Sequence, residues 1–327
     1  MSFMKAIVYT QYGPPEVLSV ADVPKPKLQD NEVQIRVLAA EATKSDCEMR
    51  SFQFAVQWFW VPLRCVLGLR KPKNQILGGY FSGEVTGLGD KVSNFELGDQ
   101  VFGSSKLRMG AYGDYLCLPA DYTIVAKPKN MTHEQAAAVP LGGLNALHYL
   151  RKAAVRPGDK VLINGAGGSI GTFAVQIAKA MGAQVTAVDS GIKESMLRRI
   201  GADHFYDYQR ENFVDNGQHY DVIFNMVAGC SYSDFVGSLT STGRYLLANP
   251  RVCDMIRSVF TTRFTSKTTL FGFAAETEEE LTALKEMAEA GTIAAEVDKV
   301  YTREQVVEAH YRVETEQRLG TVVLTLR

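Results

Sequence analysis

The stretch VLINGAGGSIG (161–171) decides the fold. Its first part, VLIN, is typical of a strand that is buried on both faces. The residues from Ile170 to Met181 have the spacing of an amphipathic helix, which Gly182 closes. Glycines between a strand and a helix allow a tight turn, a close approach of backbone N–H groups to a diphosphate, and close helix packing. Because the helix N-terminus adds partial positive charge, the stretch predicts a phosphate-binding turn.

The glycines fit two spacings of a dinucleotide-binding motif. Gly165, Gly168 and Gly171 give GxxGxxG, whereas Ala166 with the last two gives AxGxxG. Such a turn is also compatible with no ligand at all. Asp189 favours a dinucleotide because it ends the next predicted strand, 24 residues after Gly165, where an acid accepts hydrogen bonds from the adenosine ribose. The alternative is that Asp189 caps a helix.

The choice between NAD(H) and NADP(H) stays open at this point. Asp189 repels a 2′-phosphate, which favours NAD(H). Lys193, four residues later, pairs with that phosphate in one interpretation. In the others it contacts a ribose hydroxyl or is simply solvated.

The chain changes character along its length. Residues 1–124 have short apolar pieces separated by Gly, Asp and Asn turns, which favours small antiparallel strands. Thr132 and Gln135 have capping-box spacing before one Ala-rich helix over 133–153. Strands then alternate with helices, which predicts a parallel, doubly wound sheet. The strands after VLIN are predicted at 184–188, 221–227, 243–249 and 268–273.

The end of the chain is predicted to return to the first domain. Thr277 and Thr302 each begin a helix, and TVVLTLR (321–327) forms a closing strand. This tail has no nucleotide-binding signal of its own.

Composition excludes several classes of protein. The chain has 327 residues, 46% hydrophobic, with a net charge of −1, which indicates two folded domains and argues against disorder and against a polyanion-binding surface. Its five cysteines form no CxxC pair, which is the usage of a cytoplasmic protein. No signal peptide is visible. The apolar stretch 52–69 contains Gln53, Gln57, Pro62 and Arg64, so a lid or pocket-lining segment is favoured over an interfacial membrane helix.

Ordered motifs give the whole chain a family resemblance. They are MKAIVYTQYGPPEVL (4–18), GYFSGEVTGLGDKVSNFELGDQVFG (79–103), GAYGDYL (110–116), AAAVPLGGLNAL (136–147), VLINGAGGSIG (161–171), IGADHFYDY (200–208) and AHYRVETEQRLGTVVLTL (309–326). In these the chain resembles the medium-chain dehydrogenase/reductase superfamily, in its zinc-independent quinone oxidoreductase branch with the reticulon-interacting relatives. The resemblance implies an α/β fold, with a GroES-like β-rich catalytic domain (1–124 and 271–327) and a Rossmann domain (125–270). It also implies an active site in the cleft between them and a homodimer formed by edge pairing of the central sheets.

The resemblance assigns residues to an NAD(P)H site. Those expected at the diphosphate and adenosine end are Gly165, Gly167, Gly168, Ser169, Ile170, Gly171, Asp189, Ser190, Lys193 and Tyr208. Those expected beside the nicotinamide are Asn145, Met226, Val227, Phe271, Gly272 and Phe273.

No zinc is expected. Lys44 stands where zinc-dependent relatives have their first cysteine ligand, and Gly78-Gly79-Tyr80 replaces their Gly-His-Glu. An ammonium group repels a divalent cation, whereas zinc needs three or four N, S or O ligands. The closely spaced cysteines of a structural zinc site are also missing from the sequence.

Chemistry without a metal favours acceptors that spread negative charge. Quinones and α,β-unsaturated carbonyls do so when they accept hydride from NAD(P)H. The candidates for substrate contact or proton supply are Thr43, Lys44 and Tyr80, with a surface charge as the alternative for Lys44 and a core tyrosine for Tyr80. The aromatic insert 52–75 suits a bulky, apolar substrate or else a packing contact. A zinc alcohol dehydrogenase and a non-catalytic nucleotide-binding scaffold are the competing functions.

Overall fold

The computed structural model describes residues 2–54, 64 and 67–326. These residues form two compact units, the first made of 2–54, 64, 67–141 and 276–326, and the second of 142–275. The sequence-predicted boundaries, at 124/125 and 270/271, stay a prediction of the functional domains. The aromatic residues Trp58, Phe59 and Trp60 of the insert lie outside the described residues.

The strands, in chain order, are β1 (Phe3–Tyr9), β2 (Leu18–Pro24), β3 (Glu32–Ala42), β4 (Tyr80–Leu88), β5 (Gln100–Ser104), β6 (Tyr115–Pro119), β7 (Ile124–Ala126), β8 (Lys160–Asn164), β9 (Gln184–Asp189), β10 (His204–Asp207), β11 (Tyr220–Asn225), β12 (Leu239–Leu247), β13 (Thr268–Phe271), β14 (Val297–Thr302) and β15 (Thr321–Thr325).

The described α-helices are α1 (Lys44–Ser51), α2 (His133–Ala137), α3 (Val139–Lys152), α4 (Ser169–Ala180), α5 (Glu194–Arg199), α6 (Tyr232–Gly237), α7 (Val252–Phe264), α8 (Glu278–Glu289) and α9 (Val306–Glu314). Within the part of the chain that the structure describes, none of them is long and apolar enough to cross a membrane.

The first unit is rich in antiparallel strands, as the sequence predicts. Its larger sheet has the order β14-β15-β3-β4-β5-β7, with β6 also paired to β3, while β1 and β2 form a separate hairpin. The closing strand β15 runs antiparallel to β3, with Val323 opposite Glu41. The closing strand of the tail is therefore part of the first unit's sheet. Alternate residues of β3, Val33, Ile35 and Val37, point into a core that Phe81 and Val322 complete.

The second unit is a parallel six-stranded sheet of order β10-β9-β8-β11-β12-β13. From β8 the chain moves outward to β9 and β10 on one side, and β11 to β13 lie on the other. The strand order therefore reverses beside β8, and a crevice for ligands opens at the carboxyl ends of the strands at such a point. The glycine-rich turn directly follows β8, which confirms the predicted doubly wound α/β fold.

Three details of the predicted elements are wrong. The single helix over 133–153 is two helices, α2 and α3, separated at Ala138. Pro140 lies in the first turn of α3, where its missing N–H is tolerated, whereas inside one continuous helix it removes a hydrogen bond and clashes with the preceding turn. The strand predicted over 243–249 begins earlier, at Leu239, and ends at Leu247. Strand β10 was not predicted because its four residues are exposed or half-buried and show no apolar alternation.

Candidate functional site

The glycine turn is too tight for side chains at two of its positions. Gly165 has a φ of +85°, in the left-handed region that favours glycine. Its N–H and that of Ala166 both donate to the carbonyl of Val188, at 3.0 and 3.2 Å, which ties the turn to β9. A Cβ atom on Gly171 would lie 2.3 Å from the carbonyl oxygen of Gly165. The first turn of α4 therefore packs directly on the backbone that leaves β8.

The N-terminus of α4 is open to an anion. Gly168 is the N-cap residue, and because it is a glycine no side chain caps the helix. The first intrahelical hydrogen bond runs from Thr172 N–H to the Gly168 carbonyl at 3.0 Å, so the N–H groups of Ser169 and Ile170 precede it. Backbone N–H groups at a positive helix end suit a diphosphate. The residues present fit that part of a dinucleotide.

Asp189, the last residue of the neighbouring strand β9, accepts a hydrogen bond from this turn. Its Oδ2 accepts from Gly167 N–H at 2.7 Å, and its Oδ1 accepts from Ser190 N–H at 2.8 Å and from Lys193 Nζ at 3.0 Å. A Cβ on Gly167 would lie 2.2 Å from Lys193 Cδ, so a side chain at this position would force Lys193 to move. Because Asp189 and Lys193 are both buried, the interpretation of Lys193 as a solvated charge is wrong.

These contacts limit the number of hydrogen bonds that Asp189 can accept from a ribose. A carboxylate has about four lone-pair directions, of which the structure uses three. One direction on Oδ2 is left for a ribose hydroxyl. Tyr208 lies at the same sheet edge, since its N–H donates to the Asp189 carbonyl at 3.3 Å, and its side chain is exposed. Ser190 is buried beside Asp189.

Buried amides join the carboxyl ends of β8 and β11. Asn164 Nδ2 donates to Asn225 Oδ1 at 2.8 Å, and Asn225 Nδ2 donates to the Tyr245 hydroxyl at 3.1 Å. Asn225 Oδ1 also accepts from Val227 N–H at 3.0 Å, while Met226 N–H donates to the Asn164 carbonyl at 3.1 Å. The network fixes the backbone of two residues that the sequence assigned to the nicotinamide end. The sequence signal for this network is the asparagine that ends each of these two buried strands.

A tyrosine from α3 holds the segment after β13. The Tyr149 hydroxyl donates to the carbonyl of Gly272, and burial raises the pKa of Tyr149 to about 12. Gly272 has a φ of +144°, a conformation that side chains rarely adopt. Asn145 lies one helical turn before Tyr149 on α3, while Phe271 ends β13 and the Phe273 side chain is exposed. Sequence reasoning missed Tyr149, which has no motif of its own.

In the first unit, Thr43 is the cap of α1. Its hydroxyl donates to Asp46 Oδ2 at 2.6 Å and accepts from Asp46 N–H at 3.0 Å. Asp46 Oδ1 accepts from Gly78 N–H at 3.0 Å, and burial raises the pKa of Asp46. The hydroxyl that sequence analysis assigned to a substrate thus has a structural use. Lys44, the next residue, is more than half exposed and pairs with Glu316 at 2.5 Å.

Tyr80 is held by an acid from a distant part of the chain. Its hydroxyl donates to Glu276 Oε1 at 2.7 Å, and Ser104 donates to the other carboxylate oxygen at 2.6 Å. Burial, and then the charge of Glu276, raise the pKa of Tyr80 well above its ordinary value. Glu276 has a φ of +48°, which is uncommon for a residue with a side chain and which the carboxylate contacts and a bond from Thr123 stabilise.

A buried thiol and imidazole lie together below α1. Cys47 Sγ is 3.3 Å from His310 Nδ1, and Arg50 Nη1 is 3.1 Å from the same nitrogen. Arginine only donates, so Nδ1 is an acceptor and Nε2–H faces the Tyr112 hydroxyl at 3.2 Å. Burial lowers the pKa of His310 to about 3 and raises that of Cys47.

These donors do not fit a zinc ion. The free lone pair of His310 is taken by the guanidinium of Arg50, whose charge repels a cation, and the Cys47 thiol is held in its neutral form. Among residues 2–54, 64 and 67–326, no group of three or more His, Cys, Asp or Glu side chains is placed to hold a metal. The expectation that the protein works without zinc stays a prediction.

Comparisons with known proteins agree with this architecture. The family model described as "Alcohol dehydrogenase GroES-like domain" matches residues 29–129, and the one described as "Zinc-binding dehydrogenase" matches 200–324. Quinone oxidoreductase of Sus scrofa is 30% identical over 324 residues, which cover 94% of this chain and 93% of that protein. The chain belongs to the medium-chain dehydrogenase/reductase superfamily. It is an oxidoreductase of that family, related to the quinone oxidoreductases.

Two further matches extend the comparison. The chloroplastic NADPH-dependent alkenal/one oxidoreductase of Arabidopsis thaliana is 29% identical over 238 residues, 69% of this chain and 58% of that protein. The solved structure of the quinone oxidoreductase from Coxiella burnetii superposes with a TM-score of 0.89 at 29% identity, and the match covers 100% of both chains. The family expected from the sequence is confirmed.

Proposed function

We propose that this oxidoreductase uses NAD(P)H to reduce quinones or α,β-unsaturated carbonyls, and that it does so without zinc. The observation that carries the proposal is the glycine turn at the strand-order reversal, followed by a helix whose N-terminus no side chain caps. The relatives named for quinone and for alkenal or alkenone reduction support the acceptor class.

The second unit has residues for each part of the dinucleotide. The N–H groups of Ser169 and Ile170 bind the diphosphate, and the absence of a side chain at Gly168 leaves room for it. Asp189 Oδ2 accepts a hydrogen bond from one ribose hydroxyl and keeps the hydrogen bond from the Gly167 N–H. When bound, the dinucleotide supplies a hydride. The segments fixed by Asn225 and Tyr149 form the walls that orient its reactive ring.

The pairing of Asp189 with Lys193 bears on the cofactor choice. A free aspartate here disfavours a 2′-phosphate and a free lysine favours one, but in this chain the two charges lie 3.0 Å apart and largely cancel. We therefore expect both NADH and NADPH to bind, with no large preference.

Conjugated acceptors suit the polar groups of the first unit. A quinone or enone that accepts hydride spreads the resulting charge, so it needs hydrogen-bond donors and a proton rather than a Lewis acid. Lys44 is the candidate donor, because its ammonium group has three N–H bonds and Glu316 takes one, and the capping box of Thr43 and Asp46 positions it at the start of α1. Tyr80 has one O–H hydrogen, so it donates to an acceptor only when its hydroxyl turns away from Glu276. The proposal also includes a homodimer, on the basis of the family resemblance, and a cytoplasmic location, on the basis of cysteine usage.

Turnover assays test the proposal directly. Oxidation of NADH and NADPH is followed by absorbance with a panel of quinones, enals and simple ketones, before and after treatment with a strong chelator. The proposal predicts turnover of quinones or enals that the chelator does not change. Cofactor binding without turnover of any acceptor indicates a scaffold, and chelator-sensitive oxidation of alcohols indicates a zinc alcohol dehydrogenase.

A further inference from the structure

Glu276 joins three hydroxyl groups of the first unit. Its carboxylate accepts from Tyr80 at 2.7 Å and from Ser104 at 2.6 Å, and its carbonyl accepts from the Thr123 hydroxyl. Ser104 and Thr123 are buried, whereas Tyr80 and Glu276 are both partly exposed. A carboxyl group that contacts a tyrosine inside the fold and belongs to a partly exposed residue is suited to move a proton from water to that tyrosine.

The backbone at Glu276 is strained where these contacts form. Its φ of +48° lies in the left-handed region, which residues with side chains uncommonly adopt. Such conformations persist only where the surrounding contacts hold them, and they cluster at functional sites. Glycine adopts a positive φ readily, so a glycine at this position keeps the backbone and removes only the carboxylate.

The direction of the hydrogen bonds depends on the charge of Glu276. When the carboxylate is ionised, both of its oxygens accept, and the Tyr80 proton points at it. Burial and then the charge of Glu276 raise the pKa of Tyr80 well above its ordinary value, and the charges of Glu41 and Asp46 add to the effect. A protonated Glu276 instead donates its own O–H to the Tyr80 oxygen, which frees the Tyr80 O–H for another acceptor.

We propose that Glu276 relays a proton from water to Tyr80, and that Tyr80 delivers its own proton to the acceptor after hydride transfer. This inference rests on the proposed function, because the hydride creates an enolate or phenolate oxygen that needs the proton. The negative charge of that oxygen repels the carboxylate, which favours uptake of a proton by Glu276 at this stage.

The step balances without a further reactant. The Tyr80 O–H bond breaks, and a new O–H bond forms on the enol or hydroquinone product. At the same time the Glu276 O–H bond breaks, and its proton bonds to the Tyr80 oxygen. Tyr80 is again neutral, and Glu276 is left as a carboxylate that takes its next proton from water. Glu276 is therefore a positioning residue that acts on the acceptor through Tyr80.

Turnover of the quinone and enal panel by four variants tests the relay. Glu276→Gln keeps an oxygen that accepts from Tyr80 but carries no proton, so kcat should fall about tenfold or more with little change in KM. Glu276→Gly leaves space for a small acid, so added formate should restore kcat roughly fivefold or more. Formate should not rescue Glu276→Gly/Tyr80→Phe. The matched control is Glu84→Gln on β4, which loses a pair with Arg36 at 2.6 Å and should leave kcat unchanged.

Three results overturn the relay while the proposed function stands. They are an unchanged kcat in Glu276→Gln, no rescue of Glu276→Gly by formate, and equal rescue in the variant that lacks the Tyr80 hydroxyl. The first of them leaves Glu276 as a structural anchor, which the glutamine replaces. No turnover of any acceptor by the native protein overturns the proposed function and the relay together. Because glutamine has the size of glutamate and glycine relieves the strain, both single variants should fold, as an unchanged melting temperature would show.

Discussion

Breaking the buried ion pair between Asp189 and Lys193 should lower the free energy of unfolding more than breaking an exposed ion pair does. At 3.0 Å and an effective dielectric constant of about 20, the attraction between the charges is roughly 5–6 kcal/mol before desolvation. Both side chains are less than a tenth exposed, so removing one partner leaves a buried charge. We expect Lys193→Met and Asp189→Asn each to lower the free energy of unfolding by about 3–5 kcal/mol.

The double variant measures the interaction energy between the two charges. Asp189→Asn/Lys193→Met leaves no buried charge, so its cost should fall short of the sum of the single costs by roughly 2–3 kcal/mol. The matched control is Arg198→Met, which breaks the pair with Glu194 at the same sequence spacing, but with both side chains about half exposed. That change should cost less than about 1 kcal/mol.

Urea unfolding monitored by circular dichroism measures all four variants. Equal costs for Lys193→Met and Arg198→Met would refute the reasoning, because burial would then make no difference. Additive single costs in the double variant would also refute it, since the two charges would not be coupled.

Three other changes are expected to have measurable effects. Gly171→Ala places a Cβ 2.3 Å from a backbone carbonyl and should abolish dinucleotide binding in a titration, whereas Gly237→Ala, with open space around it, should not. Between pH 6.5 and 3 the native protein should lose roughly 4–5 kcal/mol of its free energy of unfolding through His310, because the buried imidazole, with its pKa lowered to about 3, stays neutral while the unfolded one binds a proton. His310→Gln should remove this part of the pH dependence, as measured by urea unfolding. Tyr80→Phe should reduce kcat more than tenfold, with a loss of stability of about 1–2 kcal/mol because Glu276 keeps only Ser104 as a hydroxyl donor; unchanged kcat would remove Tyr80 from the reaction.

Local signals in the sequence were sufficient for the architecture of the second unit. The apolar run before Gly165 and the helix after Gly168 predict β8, the turn and α4, because each depends on neighbouring residues. The capping box of Thr43 and Asp46 was readable in the same way, as a threonine followed three residues later by an acid. Reading Thr43 as a substrate contact overlooked this local signal.

Contacts over long sequence distances were not predictable. Tyr80 and Glu276 are 196 residues apart, and no spacing rule relates them. The clamp of Asp189 on Gly167 likewise depends on the register of β8 against β9, which places Asn164 opposite Val188. The sequence predicted an acid near the turn but not that two backbone N–H groups and Lys193 would take up most of its hydrogen-bonding capacity.

The central claim is that the N-terminus of α4 binds the diphosphate of a nicotinamide dinucleotide. Its most direct test is a calorimetric titration of NADH and NADPH into the native protein, Ser169→Asn and Ser169→Asp. An aspartate in the first turn of a helix favours the fold but repels the diphosphate, whereas asparagine has the same size and no charge. The account predicts binding to the native protein and to Ser169→Asn, and a loss of more than tenfold for a folded Ser169→Asp. Equal binding by all three, or no binding by the native protein, would contradict it.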